Sequence, residues 1–255
     1  MGNRPVLRQG MDILILVVAV LACWQLLYQF AGEIALTSPW ETALTASEMM
    51  VTPSFWPHLE ETGLAFLQGY AIAALAGLAI GLLLGVHRLS GEVAEPILVA
   101  LYSIPKITLY PIILLFFGIG MPAKVAFGAI HGVIPVAIFA MNAMRNIKPV
   151  YLRTGRALRL GPWALTRTIL LPAAVPEVFT GLRVGFALTL VGTLMGEMFG
   201  SQRGLGYILM QAMGVHNMRT IMSVTLILVL FATAVSVLML RIDRRLHQST
   251  EVSGF

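Results

Sequence analysis

The sequence predicts an all-α fold: a polytopic membrane helical bundle of about six transmembrane helices, with a polar helical hairpin on its cytoplasmic side. Three observations carry this. The 255 residues are 58% hydrophobic and only 11% charged, at a mean hydropathy of +0.84, so the chain has too little polar surface to cover a water-soluble globule of its size. Six apolar stretches, near 11–31, 63–86, 97–118, 123–142, 177–199 and 220–241, are of the order of the roughly 20 residues a helix needs to cross hydrocarbon. Between the fourth and fifth lies a polar, basic segment, 149–176, set off by prolines and a glycine. No composition break marks a soluble domain, so residues 1–255 are expected to form one transmembrane domain.

The first span contains Cys23, the single cysteine, which excludes an intramolecular disulfide and a cysteine-based zinc site. Val20-Leu21-Ala22-Cys23 faintly resembles a lipoprotein cleavage box, but the apolar run continues through Phe30 and reads as an uncleaved span. The acidic loop 32–62, with Trp40 and Trp56, is expected to hold a short helix in the outer interface. Span two carries Gly69, Ala73, Gly77, Gly81 and Gly85, a flat face along which another helix can approach closely. Gly128 and Gly132 in span four and Gly192, Gly196 and Gly200 in span five repeat the device. Pro105 and Pro111 are expected to interrupt span three, and Pro135 span four, so neighbouring helices must satisfy the freed carbonyls.

The formal charge is +5, and its placement matters more than its sum. Arg4, Arg8, Arg88, the run from Arg145 to Arg183, and Arg241, Arg244 and Arg245 all fall on one side, while loop 32–62 has five glutamates and no Lys or Arg. Positive-inside bias puts both termini in the cytoplasm and points to membrane lipids rather than nucleic acid as the polyanionic neighbour. Lys124, Arg203 and Arg219 run against the trend on the outer side.

Several chemistries are missing. There is no P-loop and no Rossmann glycine cluster, so the chain is expected to bind no nucleotide cofactor and hydrolyse no ATP itself. The five histidines are scattered without an H-E-x-x-H pair, which predicts no metal site and no enzyme activity. Proton-coupled carriers keep carboxylates inside the membrane, and only Glu197 qualifies. Lys106, next to Pro105, and His131 are the other polar groups at membrane depth and are candidate pathway residues with Met195 and Glu197.

In the basic segment, Pro149 suits a first helical turn, Gly161 a helix stop, and Pro162 the start of a second helix. On a helical wheel over 150–160, Arg153, Arg156 and Arg159 fall opposite Val150, Tyr151, Ala157 and Leu158. Such a helix either lies on anionic lipid or is a lever gripped by a cytoplasmic partner.

The run Gly155-Arg156-Ala157-Leu158-Arg159-Leu160-Gly161, then Leu171-Pro172-Ala173-Ala174-Val175-Pro176 and Thr180-Gly181-Leu182-Arg183, resembles the EAA loop of ABC importer permeases. That pattern reads roughly E-A-A-x-x-x-G, then two prolines four apart. Ala157, Gly161, Pro172 and Pro176 match; Gly155 stands in place of the Glu and Arg156 in place of the first Ala. Ser103-Ile104-Pro105-Lys106, Phe117-Gly118-Ile119-Gly120 and the stretch from Gly196-Glu197 to Gly204-Leu205-Gly206-Tyr207 are similar to the nitrate/sulfonate/taurine subgroup.

The resemblance implies a permease subunit in a bacterial inner membrane, in an assembly of two permease subunits, a second copy of this chain included, a cytoplasmic ABC ATPase dimer and an extracytoplasmic substrate-binding protein. ATP is then used by the partners. It makes residues 145–176 the coupling loop, with Arg153, Gly155, Arg156, Ala157, Arg159, Gly161, Pro172 and Pro176 as ATPase-coupling candidates, and Gly161→Pro an uncoupling substitution. Arg183, Lys106 and His131 are basic groups able to attract an anion, and Arg183 fits equally well as an anchor at the inner interface. Two other readings stay open: a self-sufficient secondary transporter, and a scaffold that only anchors an ATPase.

Overall fold

The computed structural model describes residues 6–252, with side chains from 11 to 243; Arg4 and the side chains of Arg8, Arg244, Arg245 and His247 lie outside that description. The described residues form helices α1 (Val6–Ala31), α2 (Pro39–Val51), α3 (Trp56–Val86), α4 (Arg88–Ser103), α5 (Tyr110–Phe117), α6 (Met121–Arg145), α7 (Pro149–Ala157), α8 (Pro162–Leu165), α9 (Leu171–Gly200), α10 (Leu205–Gly214) and α11 (Met218–Val252), and no strand. They gather into two compact units, Met1–Trp56 with Ile208–Leu230, and Pro57–Tyr207 with Phe231–Phe255.

In the first unit, α1 is exposed from Met11 to Ala22 and apolar from Ile13 onward in that stretch, as a lipid-facing helix should be. The short helix expected in the acidic loop is α2. Ser38 caps it by accepting the Glu41 N–H, with Pro39 in its first turn, the residue types those positions favour. Trp24 Nε1 donates to the Thr37 carbonyl, and Arg219 pairs with Glu41.

In the second unit, α6 lies between α3 and α9, and the glycine stripes explain why. A β-carbon on Gly69 would meet Val125 O and Ala129; on Gly77, Val133 O and Val136; on Gly81, Ala137 O and Ala140; on Gly85, Met141 O and Met144. The partner numbers rise together, so α3 and α6 are parallel. On the other side Gly196 meets Lys124, Gly192 meets His131, Gly185 meets Val136 and Gly181 meets Phe139, so α9 runs antiparallel to α6. Close backbone approach of this kind supplies the dispersion contact that drives helix association in lipid. Buried Thr189 and Thr193 have unpartnered hydroxyls because they lie directly against Gly132 and Gly128, where only a weak Cα–H···O contact is available.

Parallel neighbours require the chain to recross between them, and this settles the third span. The span expected over 97–118 with interruptions at Pro105 and Pro111 is a bent pair: α4 begins at Arg88, and the segment Lys106–Phe117 leaves Ser103 at 80°. Pro105 is at the break, with a short 3₁₀ turn Lys106–Leu109 after it, since proline has no N–H to donate and disfavours α geometry at Ile104. Pro111 opens α5 rather than breaking it. Pro135 does not interrupt α6, which is continuous and has the largest buried share of the candidate spans. Among the described residues five helices are long and apolar enough to cross a membrane, six with the bent pair. Gly118 (φ +72°) and Gly120 (φ +119°) make the turn from α5 into α6, conformations that a side chain would strain.

The hairpin departs from expectation in three ways. Gly161 is not the helix stop: it has φ −65°, ψ 162° and caps α8. The left-handed residue is Arg159 (φ +51°). The Leu160 N–H bonds the Gly155 carbonyl and the Arg159 N–H the Arg156 carbonyl, a full Schellman motif with Arg159 where glycine is usual. Second, α8 is only four residues and runs through a π turn, Thr166–Leu170, straight into α9, so Pro172 begins a helix and breaks none. The wider turn ends just before Pro172, where the missing N–H would otherwise leave an α ladder short by one bond. Third, the face of α7 turned inward is Tyr151 and Gly155, while Val150, Ala157 and Leu158 are exposed.

Candidate functional site

The second unit has two chemically distinct ends. At one, where α3 ends and α6 passes into α7, stand Arg88, Arg145, Lys148, Arg153, Arg156, Arg159 and Arg167. Arg145 pairs with Glu95 (2.6 Å) and Arg88 with Glu92 (2.8 Å). Arg153, Arg156, Arg159 and Arg167 are exposed, and none of them has a carboxylate partner among the described residues. The hairpin is thus a cationic projection in which Gly155 of α7 is buried with the ends of the Leu165 and Ile169 side chains against it. Of the coupling candidates, the structure brings Gly155 into the hairpin's contact and Pro176 into the buried face of α9, and leaves Arg153, Arg156, Ala157, Arg159, Gly161 and Pro172 on the surface.

At the other end, Lys124 is fully buried, with its ammonium 2.9 Å from Glu61 Oε1 and 3.4 Å from Glu197 Oε1. It also donates to Ser201 Oγ and the Arg203 carbonyl. Glu197, equally buried, accepts from Thr62 Oγ1 (2.8 Å) and the Gly206 N–H (3.0 Å). Thr62 Oγ1 in turn accepts from the Leu205 N–H, and His58 Nδ1 from Gly204 N–H. Three free N–H groups at the start of α10 are therefore capped by buried side chains, and a carboxylate at a helix N-terminus also gains from the helix dipole. Gly204 fits only without a side chain, since a β-carbon would collide with the Glu197 carboxylate. The sequence reading missed Lys124 and the helix α10. The available signal was a lysine and a glutamate each one turn inside an apolar span.

The remaining pathway candidates do not converge with Glu197. His131 Nδ1 lies 2.8 Å from its own helix's Phe127 carbonyl, with its ring edge-on to Phe127 at 4.6 Å. Met195 packs on the Tyr110–Phe127 cluster, where Tyr110 OH donates to the Gly196 carbonyl (2.6 Å). Pro105 is exposed at the break, and Lys106 donates to the Tyr102 carbonyl (2.9 Å), its ammonium 4.8 Å over the Tyr102 ring. No group of three or more metal-ligating side chains occurs among the described residues.

Comparison with known proteins gives one direction. Residues 74–252, more than half the chain, match the family of binding-protein-dependent transport system inner membrane components. A nitrate import permease protein, NrtB, of Leptolyngbya laminosa is 30% identical over 81% of this chain and 76% of its own length. A probable ABC transporter permease protein of Haemophilus influenzae is 29% identical over 78% and 81%, and a putative aliphatic sulfonates transport permease protein, SsuC, of Bacillus subtilis 26% identical over 78% and 73%. Among solved structures, an inward-facing form of the MetNI methionine ABC transporter superposes with a TM-score of 0.61 at 25% identity, covering 75% of this chain and 93% of that one. The chain belongs to the inner membrane permease components of binding-protein-dependent ABC import systems.

Proposed function

We propose that this chain is one half of a two-permease importer for a small oxyanion or a closely related metabolite, coupled to a cytoplasmic ATPase dimer through its cationic hairpin. The observation that carries the coupling is the hairpin itself. Four arginines stand exposed and, among the described residues, without carboxylate partners on a folded-back helix pair, and the chain runs from that pair through a π turn without interruption into α9. A displacement of α8 by a closing ATPase dimer is then passed along α9 as rigid-body rocking. The relatives' names supply the substrate class: nitrate, aliphatic sulfonate, taurine and bicarbonate. Each substrate bears an oxyanion. ATP is bound by the partners, the solute is delivered by an extracytoplasmic binding protein, and this chain supplies the path and no catalysis. A second copy of the chain fits the second half. The arginine-rich end faces the cytoplasm by positive-inside bias, which puts both termini there, in a bacterial inner membrane.

A self-sufficient proton-coupled carrier needs a carboxylate free to exchange partners. Glu197, the residue the sequence offers for that role, is committed to Lys124, Thr62 and Gly206, which favours the importer reading.

The test is to tag the chain in its native membrane, extract it in mild detergent and identify co-purifying proteins by mass spectrometry. An ATPase at equal stoichiometry is expected, and its loss when Arg153, Arg156 and Arg159 are together changed to Glu. Repeated recovery of the chain alone would count against the proposal.

A further inference from the structure

On the arginine-rich half of the second unit, a groove of about 610 Å³ opens between α9, α11 and the end of α4. Its walls are mostly aliphatic, but they carry Tyr102, Arg183, Thr233 and Ser236. The volume falls in the roughly 300–1,000 Å³ range of small-molecule sites. It leaves room for a small ion with part of its hydration shell.

Three features say what fills it. Tyr102 sits two residues before the backbone break at Ile104 and Pro105, and Lys106 stands on its carbonyl and ring. A broken backbone and an ammonium group at membrane depth are tolerated where they line water or protein, not lipid. Next, Thr233 and Ser236 are one turn apart on α11, and both open into the groove, while Leu230, Phe231 and Leu238 of the same helix are exposed apolar residues. A helix that met only lipid here has no use for two hydroxyls on one stripe. Finally, Arg183 is held by Asp243 in a long ion pair, Nη1 to Oδ2 3.5 Å, with Asp243 steadied by the Thr180 hydroxyl at 3.4 Å. Guanidinium has five donors in a planar fork. A long single contact orients it and leaves donors for a second anion.

Resting on the importer reading above, we propose that this groove is an oxyanion-binding segment of the translocation pathway. Arg183 attracts the anion, Thr233 and Ser236 donate hydroxyls to it, and Asp243 positions Arg183. A guanidinium in a mostly apolar wall favours a small, weakly hydrated oxyanion over a strongly hydrated or cationic solute.

The experiment uses the full chain with Cys23→Ser and Ser236→Cys, in native membranes, probed with two water-soluble thiosulfonate reagents of similar size, one bearing a sulfonate and one a quaternary ammonium. Prompt labelling is expected, faster for the sulfonate reagent by about tenfold, and slowed by added nitrate or taurine. Arg183→Gln is expected to abolish the preference, Arg183→Lys to keep most of it, and Arg183→Glu to reverse it. Thr233→Cys, at a second exposed position, repeats the measurement where the first variant folds poorly. Equal rates for the two reagents overturn the proposal. So does labelling that appears only after detergent extraction, which identifies a lipid-filled groove. ATP-dependent uptake by the whole assembly is measured in parallel: a persistent sulfonate preference without any uptake supports the groove while overturning the importer reading.

Discussion

Lys124 is the residue on which the local energetics turn most sharply. It is buried between two carboxylates and two further acceptors, so its removal leaves the buried Glu197 carboxylate without its cation. Breaking a buried pair from one side costs on the order of 3–5 kcal/mol, and Lys124→Met is expected to lose about that much in detergent thermal unfolding. Adding Glu197→Gln removes the orphaned charge and keeps an acceptor for Thr62, so the double variant is expected to recover a sizeable part. Strict additivity of the two losses would mean that the pair is not coupled. The sequence placed Glu197 in the membrane but read Lys124 as an outer-side charge and Glu61 as a loop acid. Glu197 and Glu61 lie 73 and 63 positions from Lys124 in the chain, and periodicity carries no information about such long-range pairing. Arg159 is the opposite case: its left-handed backbone costs about 1–2 kcal/mol in a residue with a β-carbon. Arg159→Gly is expected to stabilise the end of α7 by about 1 kcal/mol and to slow amide exchange at Leu160. Unchanged or faster exchange there would contradict the Schellman assignment.

At the level of elements, the hairpin was legible in outline and misread in detail. Pro149 and Pro162 do mark helix starts, because a proline at a first turn gives up a donor that has no partner anyway. Gly161 was read as a stop from its residue type, and that signal is ambiguous between a left-handed turn and a cap. Since Gly161 already has φ −65° and open space around its β-position, Gly161→Pro fits the backbone and is expected to leave transport near wild type, contrary to the sequence expectation. The sensitive position is Gly155, where a large side chain would have to displace the ends of Leu165 and Ile169. Gly155→Leu is expected to force α7 off α8 and to cut uptake at least tenfold in membranes that still contain the protein at normal level. Near-normal uptake by that variant would remove the α7–α8 contact from the coupling route. The glycine stripes of α3 and α9, in contrast, were read correctly as packing faces, because a repeat every fourth residue has one geometric meaning on a helix.

At the scale of the whole chain, the number of crossings depends on the bent pair, and composition alone could not decide it, since 97–118 is apolar whether it spans or re-enters. The register of the glycines decides. Gly69, Gly77, Gly81 and Gly85 meet α6 at rising positions, so α3 and α6 point the same way and the segment between them returns across the membrane. The turns at His87 and Ile119 must therefore lie on opposite faces. The charges agree: Arg88, Glu92 and the Arg145–Glu95 pair sit at the first turn's end, whereas Gly118, Ile119 and Gly120 form an uncharged turn close to the buried Lys124. Single cysteines introduced in a Cys23→Ser background at His87 and at Ile119 are expected to react from opposite sides with a membrane-impermeant thiol reagent. His87→Cys should be protected in intact cells and labelled in inverted vesicles; Ile119→Cys should show the reverse. Labelling of both from one side would make the bent pair a re-entrant loop, place an odd number of crossings in the chain, and separate the two termini across the membrane.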